Sequence, residues 1–278
     1  MSSRTHTATS RRTLVQGAAW SAPAVALSTA VPAVAASCTT VRCVTQVIDW
    51  DLRANWVRTS NTTGVYTLPL TGSTVSGATT LSANVVQTMS GIMRTGVRGS
   101  TEPQWSRQSF NENLTITNGD HDPGVVSTST GNGLQIHQQP DNGTGVNAST
   151  GSRNDRSATT FTFSEPLCSL SFRIRDIDAK ADDFVDKVEL SSPAAFTTTR
   201  GASLRGTGTP TDPWTQTRYA DVSPKDDASS VLVNFAVPVQ TFTVTYWNSL
   251  RVNTANRLDG DQRIFLGDLT VGIRKYVC

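Results

Sequence analysis

Hydrophobic and polar residues alternate along several short stretches in the second half of the chain. The alternating apolar positions are Phe161 and Phe163, then Leu170, Phe172 and Ile174, then Val231, Val233, Phe235 and Val237, and then Phe242, Val244 and Tyr246. A period of two places such residues on one face of a β-strand. Beyond residue 37 no long segment keeps apolar residues at helical spacing. The pattern therefore predicts an all-β protein.

The last apolar run changes its parity at one point. Ile264 and Leu266 occupy even positions and Leu269, Val271 and Ile273 occupy odd positions, with Gly267 and Asp268 at the change. An extra residue in one strand is a β-bulge, and glycine within a strand often marks one. The sequence predicts a bulge in this strand.

The first half of the sequence also indicates strands, although its alternation is weaker. These strands are expected near residues 45–57, 65–70, 74–86 and 134–138. Glycine, asparagine, serine and threonine crowd residues 117–154, which predicts long loops at one end of the fold. Short strands divided by turn residues are typical of two antiparallel sheets packed face to face. We expect a single jelly-roll-like β-sandwich domain over residues 37–278.

Residues 1–36 differ from the rest of the chain. Arg11 and Arg12 precede a moderately apolar stretch that ends in small residues at Ala35 and Ala36. A charged start, an apolar middle and a small-residue end are typical of a cleavable export signal. The paired arginines resemble the twin-arginine signal of bacterial proteins. We expect secretion, with cleavage near Ala36. Two prolines and the shortness of the apolar stretch argue against the leader being a membrane anchor, and we expect no membrane span in the mature chain.

Net charge separates this leader from the mature chain. The whole sequence has 24 Lys+Arg and 22 Asp+Glu, and the leader supplies three of the arginines and no acid. The remainder therefore has 24 − 3 = 21 basic and 22 acidic residues. Binding to a nucleic-acid backbone requires an excess of basic residues. The composition predicts no nucleic-acid partner.

Four cysteines, Cys38, Cys43, Cys168 and Cys278, follow the leader. An even number of cysteines in an exported chain predicts disulfides. Of the three possible pairings we favour one that joins Cys278 to Cys38 or Cys43, because the ends of a domain often lie close together. The alternative is acylation of Cys38, which would tether the protein to a membrane and leave an odd number of thiols.

Four segments of the mature chain resemble a known group of proteins. They are FTFSEPL at 161–167, LSFRIRDID at 170–178, DKVEL at 186–190 and DQRIFLGDLTV at 261–271. These segments resemble the β-sandwich modules of secreted and surface-attached bacterial proteins, which are adhesin-like or similar to carbohydrate-binding jelly rolls. Because the shared motifs are structural, the resemblance implies a fold more directly than an activity.

Residues suited to catalysis are scarce. Only His121 and His137 remain after the leader, and neither a Gly-x-Ser-x-Gly elbow nor a phosphate-binding loop occurs in the sequence. Paired carboxylates like those of glycosidases are an alternative, with Asp176, Asp178 and Glu189 as the nearest candidates. We place His137 on the solvent side of its strand, because its parity differs from that of the neighbouring apolar residues.

Five aspartates follow the strand that carries the apolar residues 170–174. They are Asp176, Asp178, Asp182, Asp183 and Asp186. The parity of the strand turns Asp176 and Asp178 inward. Buried carboxylates are costly unless they are hydrogen-bonded, paired or bound to a cation, and several oxygen ligands on one loop suit Ca²⁺. The sequence therefore leaves two alternatives, a structural Ca²⁺ site formed by the five aspartates, or hydrogen bonds and ion pairs within the protein.

Trp214 and Trp247 are the candidate ligand-binding residues. An exposed indole presents a large planar surface on which a sugar ring can stack, whereas most tryptophans are largely buried. Trp214 follows a Pro-Thr-Asp-Pro turn, and Trp247 lies opposite in parity to the apolar face of its strand. We expect both to be exposed, and we expect Trp50 and Trp56 to fill the core.

Together these features predict a secreted bacterial β-sandwich protein that acts as a binding or surface-interaction module. A glycan or another component of the cell envelope is the expected ligand. A secreted glycosidase on a jelly-roll scaffold and a structural envelope protein without a discrete ligand are the alternatives, because one fold hosts many functions.

Overall fold

The computed structural model describes residues 39–94, 113–114, 127–128, 131–140, 151–250 and 262–277. The export signal, Cys38, Cys278 and His121 lie outside these residues. By its contacts the chain divides into a large unit, residues 42–275, and a small unit of residues 1–41 and 276–278. Both candidate sites described below belong to the large unit.

The described residues form many short strands and two short 3-10 helices, Arg53–Asn55 and Asp227–Ser229. In chain order the strands are β1 (Thr40–Ile48), β2 (Trp56–Arg58), β3 (Thr63–Pro69), β4 (Thr80–Ser90), β5 (Met93–Arg94), β6 (Ser127–Thr128), β7 (Gly131–Asn132), β8 (Leu134–Pro140), β9 (Arg156–Leu167), β10 (Ser169–Arg175), β11 (Ala179–Lys180), β12 (Phe184–Ser191), β13 (Thr197–Arg200), β14 (Leu204–Arg205), β15 (Thr215–Gln216), β16 (Val231–Phe235), β17 (Val239–Asn248), β18 (Gln262–Leu266) and β19 (Leu269–Val277). Among these residues no helix is long and apolar enough to cross a membrane.

Two large sheets contain most of the strands. In sheet A the order is β1-β19-β10-β18-β8-β5, with β16 paired to β10 and β13 paired to β16. In sheet B the order is β11-β12-β17-β9-β4-β3-β2. Two small hairpins, β6–β7 and β14–β15, lie outside these sheets. The long pairings in both sheets are antiparallel, as predicted.

Aromatic rings join the two sheets in the core. Phe242 of β17 stacks on Phe161 of β9 with ring centroids 4.7 Å apart, and both belong to sheet B. The ring centroid of Phe172 of β10, in sheet A, lies 4.6 Å from the ring centroid of Phe242. All three are buried inward members of the alternating runs. Burying one phenylalanine side chain stabilises the folded state by roughly 1.5–3 kcal/mol. The alternation places these side chains between the sheets, so their burial holds the two sheets together as the predicted β-sandwich.

The β-bulge predicted after Leu266 is present. β10 pairs Ile174 with Leu266 of β18, and it pairs Leu170 with Val271 of β19. Between these two pairs the residues of β10 are 174 − 170 = 4 positions apart. Their partners on β18 and β19 are 271 − 266 = 5 positions apart. One extra residue is therefore accommodated between β18 and β19, and it causes the change of parity in the sequence.

The N-terminal strands differ in part from their expected ranges. The stretch 45–57 contains the end of β1, a turn, a 3-10 helix and the start of β2. The strand expected from residue 74 begins only at Thr80. Gly72 and Gly77 adopt positive φ angles of 76° and 79°, which turn the chain before that strand. The strand expected at 134–138 is confirmed as β8.

A disulfide joins Cys43 of β1 to Cys168, which immediately precedes β10. This bridge excludes the alternative in which Cys278 pairs with Cys43, whereas the alternative in which it pairs with Cys38 falls on residues outside those described. The bridge passes beside Gly272 of β19, the strand between β1 and β10. A Cβ at Gly272 would lie 2.5 Å from Sγ of Cys43 and 2.2 Å from Oγ of Ser169. Glycine at this position leaves the space that the bridge occupies.

Candidate functional site

The outward side of sheet B carries rows of hydroxyl groups, which we call the hydroxyl face. Its members are Thr63 and Thr67 of β3, Ser82 and Thr88 of β4, Thr160, Thr162 and Ser164 of β9, and Thr241 and Thr243 of β17. On β9 these residues alternate with the buried Phe161 and Phe163. The same period of two therefore builds both the core and this face.

Strand pairing aligns these hydroxyls across the sheet. Thr160 pairs with Thr243, and Thr162 pairs with Thr241, across β9 and β17. The Oγ1 atoms of Thr160 and Thr243 are 2.8 Å apart, so one donates a hydrogen bond to the other. Each hydroxyl has one donor and two acceptor positions. The face therefore keeps hydrogen-bonding capacity for a ligand.

Trp247 lies at one end of the hydroxyl face, on the same side of β17 as Thr243. Its side chain is partly exposed, as its parity predicts. The indole Nε1 donates a hydrogen bond of 3.0 Å to Oε1 of Glu189 on β12. On the flanking strands Trp247 pairs with Arg156 of β9 and Lys187 of β12. The ring is thus fixed by a carboxylate and flanked by two cations.

Glu189 is held by Arg153 as well as by Trp247. The guanidinium of Arg153 donates to both carboxylate oxygens, from Nε to Oε1 and from Nη2 to Oε2, each at 2.6 Å. Glu189 is only 3% exposed, and this bidentate contact compensates its buried charge. Hydrogen bonding to Glu189 raises the pKa of Arg153. The carboxylate that positions Trp247 is therefore itself fixed.

Sequence reasoning missed the contact between Arg153 and Glu189. The two residues are 36 positions apart. Arg153 lies in the turn before β9 and Glu189 lies on β12, and β17 separates β9 from β12 in the sheet. The spacing of two residues along the sequence does not predict their contact when the order of the strands in the sheet is unknown. The one available signal is the shared outward parity of Lys187 and Glu189 on β12.

Trp214 is 1% exposed, so the prediction that it is exposed is wrong. Its segment extends the edge of β12, where the amide of Trp214 donates to the carbonyl of Val188 at 2.9 Å and the amide of Val188 donates back at 3.0 Å. The indole packs against Gly208, where a Cβ would lie 2.4 Å from ring atom Cζ2. The turn before Trp214 therefore directs the ring into the core.

A second polar group lies inside the sandwich, and we call Asp178, Asp186 and Tyr246 the buried acid cluster. The hydroxyl of Tyr246 donates to Oδ1 of Asp186 at 2.7 Å, and the amide of Asp178 donates to Oδ2 of Asp186 at 3.1 Å. The amide of Val222 donates to Oδ2 of Asp178 at 3.0 Å. Asp178 is 5% exposed and Asp186 is 1% exposed. Neutral donors, rather than a cation, form these contacts.

Burial controls the protonation of this cluster. It raises the pKa of Asp178 to about 7, against the opposing effect of the hydrogen bond from Val222. Burial and then the charge of Asp178 raise the pKa of Asp186 well above its usual value. Burial followed by the charge of Asp186 also raises the pKa of Tyr246. Two adjacent buried carboxyls resist being ionised together, so the pair holds a proton near neutral pH.

The structure brings together only part of the aspartate group predicted to bind Ca²⁺. Asp176 is buried and lies within electrostatic range of Asp186. Asp182 and Asp183 lie in the turn between β11 and β12, where Asp183 forms an ion pair with Lys180 at 3.2 Å. Within the described ranges no group of three or more His, Cys, Asp or Glu side chains is arranged to hold a metal ion. Ca²⁺ binding stays an untested alternative, and the contacts described for Asp178, Asp183 and Asp186 are hydrogen bonds and an ion pair within the protein.

Two further expectations have opposite outcomes. His137 is fully buried, so the predicted solvent-facing position is wrong. Residues of both parities are buried along β8, which lies between β18 and β5.

The core position of Trp50 is confirmed, and Trp56 is partly buried against the core with its ring centroid 5.6 Å from that of Trp50.

The fold and these sites define a disulfide-linked β-sandwich with a polar, tryptophan-bearing sheet face and a buried acid cluster. Neither a family model, nor a curated protein, nor a solved structure matches the chain. The resemblance to secreted bacterial sandwich modules stays a prediction. The functional argument therefore rests on the geometry of the residues themselves.

Proposed function

We propose that this protein is a secreted bacterial binding module that recognises a glycan or another component of the cell envelope through the hydroxyl face and Trp247. One observation carries this proposal. A partly exposed indole, fixed by Glu189, stands at the end of hydroxyl rows on one side of sheet B. The arrangement offers an apolar platform and hydrogen-bonding groups on the same surface.

Sugars present both kinds of surface to a protein, because apolar C–H faces alternate with hydroxyl groups around the ring. An indole that is already held by a hydrogen bond loses little freedom when a ligand stacks on it. The threonine and serine hydroxyls both donate and accept hydrogen bonds. Repeated rows favour an extended polymer, because linked weak contacts add to the overall affinity.

Arrays of glycans and cell-wall polymers, probed with the mature chain, test this proposal. Trp247→Ala should lower the affinity for the bound polymer about tenfold or more, because exposed aromatics often dominate recognition. Tyr219→Ala is the matched control, since Tyr219 is a 60% exposed aromatic outside the hydroxyl face. Absence of any bound polymer, or full binding by the Trp247 variant, contradicts the proposal.

A glycosidase is the second candidate, although the buried acid cluster, in which Asp178 has a pKa of about 7, lies inside the sandwich and not on the hydroxyl face. Many glycosidases use one carboxyl with a raised pKa as the acid beside a second carboxylate. A hydrolysis assay on every bound polymer tests this candidate. Product that disappears in an Asp178→Asn variant supports the enzyme, and the absence of product supports the binding module.

Export is part of the proposal and rests on the leader sequence. Replacing Arg11 and Arg12 by lysine should hold the precursor in the cytoplasm of a bacterial host, because the paired arginines are the distinguishing feature of this signal. Fractionation with an antibody against the mature chain measures the outcome. Normal secretion of the double variant contradicts the twin-arginine assignment, and an acyl group on Cys38 in the intact mass indicates a lipoprotein.

A further inference from the structure

Two basic side chains flank Trp247 on the outward side of sheet B, and a third lies near one of them. Arg156 and Lys187 are its pairing partners on the two flanking strands. Arg205 lies within electrostatic range of Lys187, whose pKa is lowered by burial and then by the charge of Arg205. We call Arg156, Lys187, Arg205 and Trp247 the basic corner.

Few acidic groups offset these charges. Glu189 is already paired with Arg153, and Asp212 lies within electrostatic range of Lys187. In the part of the chain that the structure describes, no acidic side chain forms an ion pair with the three cations of the corner. The summed formal charge of the three cations and Asp212 is 3 − 1 = +2. The chain after the leader sums to 21 − 22 = −1, so positive charge is concentrated at this corner.

The guanidinium of Arg156 is oriented but not saturated. Its Nη1 donates to the backbone carbonyl of Arg153 at 3.1 Å. A guanidinium has five N–H donors, so others remain for a ligand. Arginine binds planar carboxylates and phosphates through two parallel hydrogen bonds, which a lysine ammonium does not reproduce. Arg156 is therefore suited to an acidic group bound beside Trp247.

We propose that the basic corner selects an anionic polysaccharide, one that carries carboxylate or phosphate groups. Trp247 stacks on a sugar ring, while Arg156 and Lys187 pair with the acidic groups on either side of it. These three residues lie on adjacent strands about 4.7–4.9 Å apart, and together they present alternating cationic and aromatic groups to a polymer. This inference rests on the proposed function and specifies the ligand class of the same site.

Calorimetric titration of the mature chain with three polymers tests the inference. They are polygalacturonate, its neutral methyl ester, and poly(glycerol phosphate). We expect an acidic polymer to bind at least about tenfold more tightly than the ester. Its affinity should fall as NaCl rises from about 0.05 M to about 0.5 M, because salt screens exposed charges. The tighter of the two acidic polymers identifies carboxylate or phosphate as the recognised group.

Charge-removing variants locate the recognition on the protein. The double variant Arg156→Gln, Lys187→Gln should weaken binding of the acidic polymer about tenfold or more while leaving the ester unchanged. Lys225→Gln is the matched control, because Lys225 is an exposed lysine outside the corner. Arg156→Lys keeps the charge and tests the bidentate contact. Unchanged melting temperatures show that the variants fold.

The possible failures are distinguishable. Equal affinity for acidic and esterified polymers, lost for both in Trp247→Ala, overturns the anionic preference and leaves glycan binding intact. Binding of the acidic polymer that survives the double variant also overturns the assignment to this corner. Absence of binding to every polymer overturns the proposed function together with the inference.

Discussion

The hydroxyl of Tyr246 donates a hydrogen bond of 2.7 Å to Oδ1 of Asp186, and both side chains are buried between the sheets. Tyr246 is the last residue of an otherwise apolar inward run on β17, and Asp186 lies on the adjacent strand β12. Burial disfavours the charged carboxylate more strongly than this hydrogen bond favours it, so the uncharged acid predominates over the carboxylate. Protonation of the buried acid cluster therefore affects the stability of the sandwich.

Stability should fall as the pH rises from about 4 to about 7. The folded-state pKa of Asp178 is about 7, above its value in the unfolded chain, so the folded state binds more protons across this interval. The stabilisation is fully present below the unfolded pKa and is lost as the pH passes through the folded pKa. Urea denaturation at a series of pH values measures the free energy of unfolding.

Asp178→Asn should reduce this pH dependence, because asparagine does not titrate but still accepts the hydrogen bond from Val222. Asp186, whose pKa burial also raises, retains its own share of the dependence. Asp183→Asn is the matched control, since Asp183 lies in a partly exposed turn. The control should keep the slope of the parent protein. A slope that persists unchanged in the Asp178 variant would show that another group is responsible.

Tyr246→Phe should destabilise the protein by about 1–3 kcal/mol, because it removes a buried donor and leaves an oxygen of Asp186 without that partner. The hydrogen bond from Tyr246 lowers the pKa of Asp186, so its loss should raise that pKa further and make the effect larger at higher pH. Chemical denaturation at two pH values measures both effects. Tyr219→Phe, at a 60% exposed position, should change stability little, and equal effects of the two variants would contradict the assignment.

Calcium provides a separate test of the aspartates. Because Val222 and Tyr246 already donate hydrogen bonds to Asp178 and Asp186, we expect millimolar Ca²⁺ to leave the melting temperature of metal-stripped protein unchanged. A ligand that binds only the folded state raises the melting temperature by mass action. A rise that disappears in an Asp176→Ala, Asp178→Ala variant would instead establish the Ca²⁺ site.

All four cysteines should be oxidised in the secreted protein. Because Cys43 is bonded to Cys168, the remaining pair is Cys38 with Cys278, and a peptide map without reductant should show both bridges. A thiol titration in denaturant should find no free thiol, and two or more reactive thiols would rule out this pairing. Replacing Cys43 and Cys168 by serine should lower the free energy of unfolding by up to about 4–5 kcal/mol in the chain-entropy model.

Local alternation was sufficient to predict the sheets and most of the core. Each inward position on β9, β10 and β17 is decided by the period of two, which needs no knowledge of strand order. Phe161, Phe172 and Phe242 are buried for this reason. The bulge after Leu266 was predicted by the same rule, because an extra residue reverses the parity.

The wrong predictions share a different physical cause. The burial of each of these residues depends on tertiary neighbours that the local sequence does not reveal. Trp214 is buried because Gly208 leaves space for its ring and Val188 pairs with its backbone. His137 lies on a strand covered on both faces, where parity no longer separates core from solvent. Inward parity correctly predicted the burial of Asp178, but its hydrogen-bonding partners come from distant segments.

The bulged segment formed by β18 and β19 also determines when sheet A can be completed. β19 pairs with β1 and β10, and β18 pairs with β8 and β10, so one stretch near residue 270 joins strands from the beginning and the middle of the chain. During synthesis one edge of β10 therefore stays unpaired until residues 262–277 have left the ribosome. Unpaired strand edges promote association with other chains. The nascent protein should consequently depend on chaperone protection until its closing strands are available.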